Sequence, residues 1–307
     1  MFSLIFIEKR NYIPFREEKH NIIPLKEDAL SADKSLLFEK AHAFNSQYLW
    51  ARKCAEIAYN MLIEGKKTAK ILFNNSADKD IKGVYLTVSN NSILPTTATF
   101  TDFDSAGFIY VTISANEKIL AHRKNLVISK IYEKITHEFS HGNVFWNRSI
   151  NAQPFEDADR LYAIATKVIT DENIDGKNIF YRFCYACYAT YYQEVQALVS
   201  QTFTSLLHIA ENRGVKKEDI DNKKFLELLA KTNTYYAYSS SLEMCKLLES
   251  SNGIPLKNKI IQEFEKRGYN MPMPSLNKKI KEIYEISNKA LRLAYNNAYQ
   301  WLFDSFD

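Results

Sequence analysis

Strand-forming runs in this 307-residue chain are confined to its first 116 residues, and that confinement limits the fold more than any other feature. Three β-branched or aromatic runs, AKILF (69–73), GVYLTV (83–88) and GFIYVTIS (107–114), are separated by loops rich in Asn, Ser, Asp and Thr. Such runs between turn residues read as short strands. The opening MFSLIFIEKRNY reads as a further strand, because no basic residue precedes its apolar run and no small-residue cleavage site follows. Beyond Asn116 the strand signal stops.

Helical spacing takes over on either side. Residues 35–64 carry apolar side chains at three- and four-residue steps, and Gly65 is placed to end a long amphipathic helix. Residues 125–142, 155–168 and 177–212 read as three more helices, and the remainder as helices with charged, solvated outer faces. Only 8 glycines and 7 prolines interrupt the chain, which favours long helices over a turn-rich all-β design. The expected class is α+β: a small N-terminal β-sheet, then one distinctive helix, then a mostly helical C-terminal part. The turn-like ENRGVKKEDID (211–221) places a division at 215, between a first domain of residues 1–214 and a helical part of residues 215–307.

Charge and cysteine content narrow the function. A net charge of +4, with a pI near 8.6, makes no case for nucleic acid or an anionic membrane. No apolar run reaches the 18 or so residues of a transmembrane helix. Cys54, Cys184, Cys187 and Cys245 are too few for a disulfide framework, and the lone C-x-x-C reads as small core residues. The expected location is the cytoplasm, or outside the cell by a route without a signal peptide.

The distinctive helix contains His137-Glu138-Phe139-Ser140-His141, an H-E-x-x-H pattern. On a helix, residues i and i+4 lie about 40° apart and about 6 Å along the axis, so two imidazoles can converge on one cation. Ile128, Ile131, Ile135 and Phe139 form the apolar stripe, and His137 lies about 200° from Phe139. The histidines are therefore expected on the face away from the core, open to a cleft. Glu138 projects to one side of the ligand positions, which suits a base for a metal-activated water.

At these residues the chain resembles the zincin metallopeptidases, whose active-site helix carries H-E-x-x-H. The resemblance covers residues 107–146. It implies His137 and His141 as Zn2+ ligands, Glu138 as general base, and a protein or peptide as substrate. It also implies that the strand GFIYVTIS is a sheet edge that pairs with the substrate backbone. A third ligand must come from downstream. The stretch YYQEVQALVSQTF is similar to the second active-site helix of gluzincins, which makes Glu194 the ligand, with Ala197 three residues on. The alternative is Asp159 with Tyr162, similar to aspzincins, although the glycines that flank their aspartate are missing here. Pro154, Glu156, Asp157 and Asp159 also read simply as a helix start. Val144 and Asn147 stand where metzincins need glycine and histidine. Tyr191 is the expected oxyanion stabiliser, with Tyr192 and Tyr162 as substitutes. The expected function is a zinc-dependent endopeptidase; the alternative is an inactive zincin-fold binding or regulatory protein.

Overall fold

The computed structural model describes residues 51–72, 83–91, 97–103, 108–116, 124–151, 156–171, 173–300 and 302. The strand expected at the amino terminus and residues 35–50 of the first expected helix lie outside them. The described residues bear out the α+β class: four strands in one sheet, and otherwise helices.

The helix α1 (51–64) ends as its glycine predicts. Gly65 adopts φ +69°, and the Lys66 N–H donates to the Met61 carbonyl at 2.9 Å, the six-residue closure that satisfies a terminal carbonyl. The strands are β1 (Thr68–Leu72), β2 (Gly83–Asn91), β3 (Thr97–Phe103) and β4 (Phe108–Asn116). Their order is β1-β2-β4-β3; β2 and β4 run parallel, and the two outer pairs are antiparallel. Strict alternation buries Val84, Leu86, Val88, Ile109, Val111 and Ile113 on one face. On the other face, Tyr85 and Tyr110 stack at 4.8 Å, with Lys70 over the Tyr85 ring.

Two corrections follow. β3 was not expected: TATFTDF is short and threonine-rich. Its presence moves β4 from the edge to an inner position, with both flanks paired. The strand that the resemblance offers to substrate is therefore occupied, and β1 and β3 are the edges among the described residues. Thr101 is an extra residue in β3, between the pairs Phe100–Val111 and Asp102–Tyr110, and makes a bulge there.

The helix α2 (Lys124–Asn151) carries the H-E-x-x-H motif and runs past Gly142, where a stop was expected. The following helices are α3 (Glu156–Thr170), α4 (Ile179–Ala189), α5 (Tyr192–Asn212), α6 (Asn222–Leu229), α7 (Asn233–Glu249), α8 (Gly253–Glu265) and α9 (Met273–Tyr299). The single helix expected over 177–212 is broken at Thr190–Tyr191. The Thr190 hydroxyl bonds its own Ala186 carbonyl at 2.7 Å, and its backbone sits at φ −96°, ψ 2°, off the helical path. Tyr191 then starts α5, its carbonyl accepting from the Val195 N–H at 2.9 Å.

The chain forms two compact units. One comprises Met1–Asn147 with Leu207–Lys216, and the other Arg148–Leu206 with Lys217–Asp307. The chain leaves the first unit for the last time after Lys216, beside the division expected at 215, while residues 148–206 group with the C-terminal helices. Within the second unit α4 packs against α3, α7 and α8, and α7 packs against α9. Ala189, Leu198, Ala237, Tyr238 and Ala290 form a buried cluster there, and the Tyr238 hydroxyl donates to the Ala189 carbonyl at 3.1 Å. That bond satisfies an acceptor left open by the end of α4.

Candidate metal centre

The motif lies on a continuous stretch of α2. Ile128, Ile131, Ile135 and Phe139 are buried as their spacing predicts, each contributing roughly 2 kcal/mol of apolar burial. The opposite face departs from expectation. Every residue from 131 to 140 is buried, including Glu133, Lys134, Thr136, His137, Glu138 and Ser140. Polar groups are accommodated by local partners. Thr136 donates to the Tyr132 carbonyl at 2.9 Å, Ser140 to the Thr136 carbonyl at 3.0 Å, and Lys130 pairs with Glu133 at 3.1 Å. His137 and Glu138 each retain 3% of their surface, so neither stands on an open cleft wall. His141 continues the helix one turn on; its side chain lies outside the described residues.

Near the start of α2, the Ser129 hydroxyl donates to the Leu126 carbonyl at 3.0 Å and lies 3.0 Å from His208 Nδ1. This serine–histidine pair is a tether between α2 and the end of α5.

Glu194 belongs to the second unit, in the first turn of α5. The break before Tyr192 puts its carboxyl near a helix N-terminus, where the exposed N–H dipoles favour negative charge. It has no solvent exposure. The Tyr162 hydroxyl donates to Oε1 at 2.8 Å. Burial raises the carboxyl from its ordinary 4.5 to about 7, and hydrogen bonds from Tyr162 and Tyr188 pull the other way. Desolvation, and then the neighbouring Glu194 charge, push the Tyr162 hydroxyl far up, so it remains a donor. Tyr162 stacks on Tyr191 at 4.0 Å and on Tyr188 at 5.6 Å.

The fold thus joins a tyrosine and a glutamate that belong to two different alternatives in the sequence. Tyr162 is expected beside Asp159, and Glu194 with Ala197 and near Tyr191 and Tyr192. Tyr188 and Tyr238 were not singled out at all. No short-range spacing links residues 32 apart, and 19 tyrosines give no way to choose among them. Asp159 is the fourth residue of α3, and its side chain lies outside the described residues. Tyr191 is half-buried in the ring stack; the side chain of Tyr192 is outside the described set.

The four cysteines are buried and free. Burial pushes the Cys54, Cys187 and Cys245 thiols up to about 12, and Cys184 higher still, as befits small core residues. Among the described residues, no group of three His, Cys, Asp or Glu side chains gathers as a cation site, and no helix is long and apolar enough to cross a membrane.

Comparison with protein-family models, with curated proteins and with solved structures found no match.

The donor chemistry suits zinc: two imidazoles one helical turn apart in sequence position, and a carboxylate from farther along the chain. A wholly buried carboxyl faced by phenols keeps a proton near neutrality unless a cation joins it.

Proposed function

We propose that the protein is a zinc-dependent endopeptidase. His137 and His141 are the histidine ligands, with Glu194 as third ligand ahead of Asp159, and Glu138 is the general base. The observation that carries this reading is the unbroken helix through residues 137–141, which keeps the H-E-x-x-H spacing in helical register.

Zinc, when bound, supplies a Lewis acid that polarises the scissile carbonyl and lowers the pKa of water. Glu138 takes a proton from the attacking water as its oxygen bonds to the carbonyl carbon. It then delivers that proton to the amide nitrogen as the C–N bond breaks. The burial around Glu138 excludes bulk water and strengthens its interaction with nearby charge. Tyr191, the oxyanion stabiliser in this reading, donates a hydrogen bond from its hydroxyl to the developing negative oxygen.

The deciding experiment pairs zinc content with cleavage of a denatured protein such as casein. Glu138→Gln should keep its zinc and its fold while cleavage falls by roughly 10²- to 10⁴-fold. Unchanged cleavage by this variant, or no stoichiometric zinc in the parent protein, overturns the assignment.

A further inference from the structure

We draw no further inference here: the strongest candidate, the loop between α3 and α4 where Asp171, Asn173 and Asp175 alternate as in a calcium loop, is an acidic cluster whose two carboxylates each accept a backbone N–H of the loop itself, with Arg182 where such a loop needs a chelating glutamate, and nothing else among the described residues marks a cation there.

Discussion

The Tyr162 hydroxyl donates to Glu194 Oε1 across 2.8 Å, inside a core that leaves the carboxyl no exposed surface. The carboxyl is raised to about 7, so the fold prefers its protonated form below that pH. Below pH 4.5 it is protonated in both folded and unfolded chains. As pH rises from 4.5 to 7, the unfolded chain loses the proton and the folded one keeps it, so stability falls. The loss is on the order of 3 kcal/mol, complete above about pH 7. Chemical denaturation with a chelator present should show this slope, and Glu194→Gln should flatten it. A Gln variant with the parental pH dependence would remove the assignment.

Two glycines should respond differently to alanine. Gly65 sits at φ +69° with nothing within 4 Å of an added Cβ, so its substitution meets only backbone strain, about 1 kcal/mol. At Gly253 a Cβ would fall 1.9 Å from the Leu248 carbonyl oxygen, a backbone atom that cannot swing aside. Gly253→Ala should cost about 3 kcal/mol or more. Urea midpoints of the two variants measure the difference; equal losses would contradict the close approach at Gly253.

Ser129 links α2 to His208 without touching the motif. Ser129→Ala should lower unfolding free energy by about 1 kcal/mol and leave zinc content unchanged. A proteolytic activity lost in this variant, with stability preserved, would assign Ser129 a chemical role and refute the tether.

The apolar half of α2 was legible because Ile128, Ile131, Ile135 and Phe139 recur at helical steps and each is buried. Its polar half was misread for a physical reason. Thr136 and Ser140 satisfy their hydroxyls on carbonyls of their own helix, and Lys130 meets Glu133 one turn away. Polar side chains supplied with partners from their own helix can be buried, so polarity alone did not mark a solvent face. β3 was missed because a short threonine-rich edge strand buries little and leaves a faint pattern. The break at Thr190 has no Gly or Pro to announce it; a threonine hydroxyl competing for a carbonyl makes it. Tyr162 and Glu194 meet only through tertiary packing.

The inner position of β4 also bears on what can join the sheet. A strand-like peptidomimetic joining the sheet beyond β3 would run two interstrand gaps, about 10 Å, from β4. The extra residue at Thr101 would interrupt its alternation, because a one-residue slip turns every following side chain to the other face. Compounds matched to β3 on one side of Thr101 would thus need their side-chain order inverted to bind on the other.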